Sequence, residues 1–230
     1  MRRETISRAT LKKQQWGVAG PSESRLPATI AVLLATTLNF VLPGKFTLGP
    51  NWLMPVLELV ILIPLTLTAP RRLPHENRMQ QWMAVASIAI VNIANFASLY
   101  LLIWTLLFNG KSVDGKQLLY SSVAIWATNI IVFGLWYWEI DRGGPDDRLR
   151  DDHEAPDFLF PQMTAPGCTY DGWAPRFIDY LYVAFTNATA FSPTDTMPLT
   201  PMAKVLMMLQ SLCSLATIAI VASRAINILS

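Results

Sequence analysis

The stretch Arg176–Ser230 decides the fold. It begins R-F-I-D-Y-L-Y-V-A-F-T-N-A-T-A-F-S-P-T-D-T-M-P-L-T-P-M-A-K (176–204) and continues as an apolar run to Ser230. The aromatic amphipathic segment predicts a helix over Phe177–Ala188, with Asp179 in the first turn, where a carboxylate favours a helix N-terminus. A Thr/Ser/Pro turn and an Asp follow, and Met202–Leu229 then predicts a spanning helix. Irregular backbone at membrane depth is tolerated only where protein buries it or water lines it. Asn187, Thr189, Ser192, Thr194 and Asp195 between two apolar segments therefore predict a re-entrant hairpin holding a polar path or a buried polar plug.

Four apolar segments precede it: Leu26–Leu42, Trp52–Ala69, Trp82–Phe108 and Leu118–Trp138. Each is about a bilayer's worth of helix, and no period-2 alternation suggests barrel strands. With 52% hydrophobic and 15% charged residues among 230, the composition excludes an ordinary soluble domain. The expected fold is an all-α integral membrane protein of about five transmembrane helices, with a re-entrant pore-helix hairpin before the last. It divides into a basic arm (1–25), a four-helix region (26–138), an acidic extramembrane loop (139–176) and the hairpin with its last helix (177–230). The arm has no apolar core and cleavage site of a signal peptide. Trp136-Tyr137-Trp138 reads as an aromatic belt at the membrane–water boundary.

Polar residues inside the spans carry the functional signal. Glu58 sits in L-M-P-V-L-E-L-V-I-L, where an ionised carboxylate costs roughly 3 kcal/mol on insertion scales. It is expected to face the bundle interior, protonated or paired, and Pro55 and Pro64 on either side predict a kinked helix. Arg224 is the other charge within an apolar segment. Asn92 and Asn95 share one face of the third helix, and Asn129 lies mid-span in the fourth. Interhelical hydrogen bonding is the expected role of all three, with lining of a path as the alternative. Ser211, Ser214 and Thr217 recur at three-residue spacing in the last helix, where they permit close approach or face a lumen.

The loop 139–176 carries nine acids against four basic residues, and its glycines and prolines predict irregular structure. Its charge either solvates the loop or concentrates cations at a pore mouth. Phe158-Leu159-Phe160 and Trp173 are expected to tack it to the membrane surface. The net charge of +2, without a basic stripe, implies no nucleic-acid partner. Two separated cysteines and two isolated histidines supply no metal or redox site, and no catalytic set of residues stands out. Neither a cofactor nor an enzyme activity is expected.

The hairpin resembles that of tetrameric potassium channels, in which a pore helix leads into T-V-G-Y-G and then Asp. Written without gaps, Tyr182, Phe185, Thr189, Asp195, Pro198, Thr200 and Lys204 fall where that family has Tyr, Phe, Thr, Asp, Pro, Thr and a basic residue. The register covers about the last quarter of the chain. Overall the chain is also similar to uncharacterised bacterial multi-span membrane proteins with such a hairpin before their last span. The filter-like segment is Thr189, Ala190, Phe191, Ser192, Pro193, Thr194 and Asp195, and it is degenerate. Filter glycines let successive carbonyls point at the ion, whereas Pro193 fixes φ near −65° and biases Ser192 towards extended backbone. A potassium-selective carbonyl ladder is not expected. The hydroxyls and a ring of Asp195 carboxylates offer instead a wider, weakly selective cation path; the other reading is a non-conducting hairpin whose hydroxyls cap the pore helix.

One hairpin does not enclose a hole, so a conducting form implies a homotetramer in the lipid bilayer, passing small cations. A non-conducting scaffold or sensor, or a small secondary transporter using Glu58, are the alternatives. Five spans put 14 of the 18 Lys and Arg on the N-terminal side, which the positive-inside rule assigns to the cytoplasm. Parity then brings the hairpin in from that side, the reverse of a potassium channel, so charge and resemblance disagree about orientation. A bacterial inner membrane is the expected location.

Overall fold

A computed structural model describes residues 24–50, 52–68, 78–109, 114–145, 147–149, 155–164, 173–189 and 196–229, with side chains described outside 61–68, 78–80, 109 and 224–229. Seven helices appear among these residues: α1 (Leu26–Val41), α2 (Leu53–Thr68), α3 (Arg78–Asn109), α4 (Gly115–Ile140), α5 (Pro161–Thr164), α6 (Phe177–Ala188) and α7 (Pro201–Leu229). One two-residue ladder joins β1 (Phe158–Leu159) to β2 (Met197–Pro198), antiparallel, with Phe158 opposite Pro198 and Leu159 opposite Met197. The class is all-α.

Three helices are long and apolar enough to cross a bilayer, over Gln81–Phe108, Gly115–Gly143 and Pro201–Ser223, which fits an integral membrane protein. The 16-residue α1 and α2 reach only about 24 Å each at the α-helical rise. Thr29, Thr36 and Thr37 donate their hydroxyls to carbonyls four residues back, so α1 carries its polar groups without outside partners. Helix α2 is a single helix through Pro64. Pro55 stands in its first turn, where no backbone N–H is needed.

Packing fixes the helix directions. The Arg25 guanidinium, at the start of α1, lies 5.8 Å from the Trp138 ring, at the end of α4. Gln81, at the start of α3, donates to the Gly143 carbonyl at 2.8 Å. One apolar layer joins the beginnings of α1, α3 and α7 to the end of α4 and to α6. A second joins Leu42 and Phe46, beyond α1, to Leu99 and Leu102 of α3, Leu118 and Ile125 of α4, and Ile220 of α7. Consecutive long helices therefore alternate in direction, with the 141–164 segment at the first layer's end.

The described parts of that segment, 141–145, 147–149 and 155–164, lie against the bundle. Arg142 (φ 56°), Gly143 (φ 83°) and Gly144 (φ 111°) turn the chain sharply after α4. The left-handed conformation costs a non-glycine residue about 1–2 kcal/mol, offset here by the hydrogen bond from the Arg142 N–H to Asp157 Oδ2 at 3.1 Å. Two expectations fail at this end. Phe158 and Phe160 are buried in the first layer, against Tyr180, and do not tack the loop to a membrane surface. Tyr137 and Trp138 are also buried, so they are interior side chains and not an exposed belt.

Helix α6 packs tightly on α4 at Gly134, where an added Cβ would stand 3.1 Å from the Leu181 Cα. Gly134→Val is expected to push the two helices apart and to destabilise the protein by about 1–3 kcal/mol, the usual range for overpacking. Thermal unfolding in detergent checks this, and an unchanged midpoint would mean that α6 yields without loss.

Candidate functional site

Helix α6 is held at both ends, and the groups holding it form the polar interior of the molecule. At its beginning, Asp179 Oδ2 accepts the Arg176 N–H at 2.7 Å and closes the first turn. One turn of α6 carries Tyr180, whose hydroxyl donates to Asp141 Oδ2 at 2.6 Å. Asp141 follows α4 directly and is 0% exposed. Its other oxygen accepts the Asp157 N–H at 2.8 Å and the Phe158 N–H at 3.3 Å. Burial, with the Asp141 carboxylate beside it, holds the Tyr180 hydroxyl protonated well above the usual tyrosine range. It is a permanent donor.

Asp157 extends the clamp to α7. Its Oδ1 accepts the Thr200 hydroxyl at 2.5 Å, and its carbonyl accepts the Leu199 N–H at 2.8 Å. Two arginines balance the two carboxylates. Arg142 Nε lies 3.5 Å from Asp141 Oδ2. Arg148 donates to the carbonyls of Trp138 (2.5 Å) and Asp141 (3.1 Å), with its guanidinium over the rings of Trp138 and Tyr180. The end of α4, the beginning of α6 and the beginning of α7 are thus riveted together. From the sequence the loop's charge either solvates it or concentrates cations at a pore mouth; in the structure Asp141, Arg142, Arg148 and Asp157 are instead tied into the fold.

The far end of α6 meets a network of amides. Asn187 Nδ2 donates to Gln210 Oε1 at 2.7 Å and to the Met207 carbonyl at 3.0 Å, while Asn187 Oδ1 accepts from Ser211 at 3.0 Å. Gln210, 0% exposed, also accepts from the Tyr137 hydroxyl at 2.6 Å and donates to the Ala184 carbonyl at 2.7 Å. Asn129 adds bonds from α4 to Ser214 Oγ (3.0 Å) and the Gln210 carbonyl (3.3 Å). Phe185 stacks edge-on to Trp126, about halfway along α4. An amide inside an apolar helix is stable only with such partners.

The remaining sequence-flagged residues lie elsewhere. Glu58 and Ser87 pair between α2 and α3, with Ser87 Oγ 2.6 Å from Glu58 Oε2. Asn92 and Asn95 are buried on α3, and the side-chain oxygen of each has no hydrogen-bond partner among the described residues. Thr189 closes α6, its hydroxyl bonded back to the carbonyls of Phe185 and Thr186. Ala190, Phe191, Ser192, Pro193, Thr194 and Asp195, and the Arg224 side chain, lie outside the described residues. Among the described residues, no group of three His, Cys, Asp or Glu side chains gathers as a metal site.

The sequence reading assigned Tyr137 to the membrane boundary and did not single out Gln210, Asp141, Asp157 or Tyr180. For Gln210 a signal was present: a lone long amide in the middle of an apolar helix needs a buried partner. No family model, curated protein or solved structure matches the chain.

Proposed function

We propose that this protein is a channel-like membrane protein, a weakly selective or non-potassium cation pore assembled from several copies of the chain. In this reading α1, α2, α3, α4 and α7 are five crossings, and residues 177–196 are a re-entrant hairpin. What supports this reading is that the chain is tied at one end of the bundle both at the start of α6 and again at 197–200, while α6 points to the middle. Tyr180 bonds Asp141 before it; Met197 pairs with Leu159 and Thr200 bonds Asp157 after it. Between them α6 descends about 18 Å along α4's roughly 39 Å, from the helical rise.

Self-association is supported by what α7 leaves uncovered. Only 28% of its most apolar stretch is buried within the chain, against 50% for α3 and 67% for α4. Four copies around an axis, a homotetramer, would bring Thr189 to Asp195 nearest that axis. The alternation of helix directions supports the charge count over the channel resemblance: the mouth of the hairpin shares the N-terminal, Lys/Arg-rich side and faces the cytoplasm.

The test is cation flux in liposomes holding the purified protein, which Asp195→Asn is expected to reduce several-fold. Intact oligomers that pass no cation at any voltage or pH would overturn the reading. One observation favours the alternative, a non-conducting scaffold or sensor. Asn187 and Ser211 turn into their own chain, and the Thr186 and Thr189 hydroxyls bond their own helix. That alternative predicts an Asp195→Asn protein with unchanged ion movement and impaired assembly.

A further inference from the structure

We propose that Glu58 and Ser87 form an intramembrane proton-binding site, separate from the hairpin. Glu58 is 1% exposed, in a helix otherwise free of charge. Its Oε2 meets the Ser87 hydroxyl at 2.6 Å, and its Oε1 has no hydrogen-bond partner among the described residues. The elements packed most closely on α2 are α1 and α3. Helix α1 contains no charged residue, and α3 contains only Arg78. Arg78 precedes Ser87 by nine residues, about 13 Å along the helix axis. Among the described residues, none of these elements sets beside Glu58 the counter-charge that a buried carboxylate requires.

A bound cation or a bound proton would meet that requirement, and the ligand set favours the proton. Hard metal cations take about six oxygens, whereas one carboxyl and one hydroxyl meet here. Asn92 does not complete a shell: five residues after Ser87, it points about 140° around α3. A carboxylic acid needs only what is present. One hydrogen bridges the 2.6 Å contact: Ser87 donates to Oε2 of the carboxylate, in the acid the O–H on Oε2 donates to Ser87 Oγ, and Oε1 remains an acceptor. Loading is a simple transfer, in which hydronium gives its proton to the carboxylate and departs as water. Unloading is the reverse.

Infrared spectra of the full chain in liposomes test this. At pH 7 the wild type is expected to show the C=O band of a protonated carboxylic acid that Glu58→Gln loses. The band should shift in D2O, as the proton exchanges, and shift again in Ser87→Ala, where the acid loses its partner. Should Glu58→Gln fail to fold, the difference between wild type and Ser87→Ala isolates the same band. Carboxylate bands alone at pH 7 would overturn the proposal. So would an acid band insensitive to both D2O and Ser87→Ala.

Discussion

Gln210→Leu is expected to release α6 from the bundle at its far end. The substitution keeps volume and apolar character but removes the partner of the Tyr137 hydroxyl, the Ala184 carbonyl and one Asn187 N–H. Interhelical side-chain hydrogen bonds in membranes are worth roughly 0.6–1.7 kcal/mol each. Three lost together, with buried groups left unpaired, give a loss of about 2–4 kcal/mol. Ser214→Ala, which removes one bond of Asn129, should lose under about 1 kcal/mol. Amide exchange read by mass spectrometry separates local from global effects: 177–188 should exchange faster while α3 stays protected. Wild-type protection of α6 in Gln210→Leu would mean that apolar packing alone holds it.

Asp141→Ala should cost more. The carboxylate is fully buried, accepts three hydrogen bonds and faces Arg142. Removing one member of a buried ion pair costs about 3–5 kcal/mol, because the opposite charge stays behind without compensation. Unfolding in detergent measures the total. A double-mutant cycle with Tyr180→Phe isolates the rivet between α4 and α6, and coupling above roughly 0.5 kcal/mol is expected from groups in direct contact. An Asp141→Ala protein within about 0.5 kcal/mol of wild type, the range of a surface substitution, would remove the clamp from the account.

Sequence and structure agree where hydropathy decides and part where pairing is distant. The apolar runs carry the helices because a bilayer-facing helix must satisfy its backbone within itself. Asn129 was readable as an interhelical donor because an amide in such a run has few other fates. Trp136-Tyr137-Trp138 misled because aromatic side chains at a helix end look alike whether they meet headgroups or a neighbouring helix. The acids of 139–176 misled for a similar reason. Asp141 finds Tyr180 39 residues later, and Asp157 finds Thr200 after 43; nothing local in the sequence marks either carboxylate for so distant a partner. Helix α6 was visible through its amphipathic pattern and the Asp179 cap, whereas its two anchors depend on partners contributed by three other segments.

Those separations set an order of events as the chain is made. Tyr137 precedes Gln210 by 73 residues and Asn129 precedes Ser214 by 85. At about 5–20 residues per second, α4 waits several seconds on the ribosome's schedule before the amide that secures it is synthesised. During that interval Gly134 and Asp141 can receive α6, and its lower half has the Trp126 ring to pack on but none of its bonds to Met207, Gln210 and Ser211. The final helix therefore acts as the closing latch of biogenesis, and quality control that samples the nascent chain before Gln210 emerges meets a protein whose amide network is still open at the far end of α6.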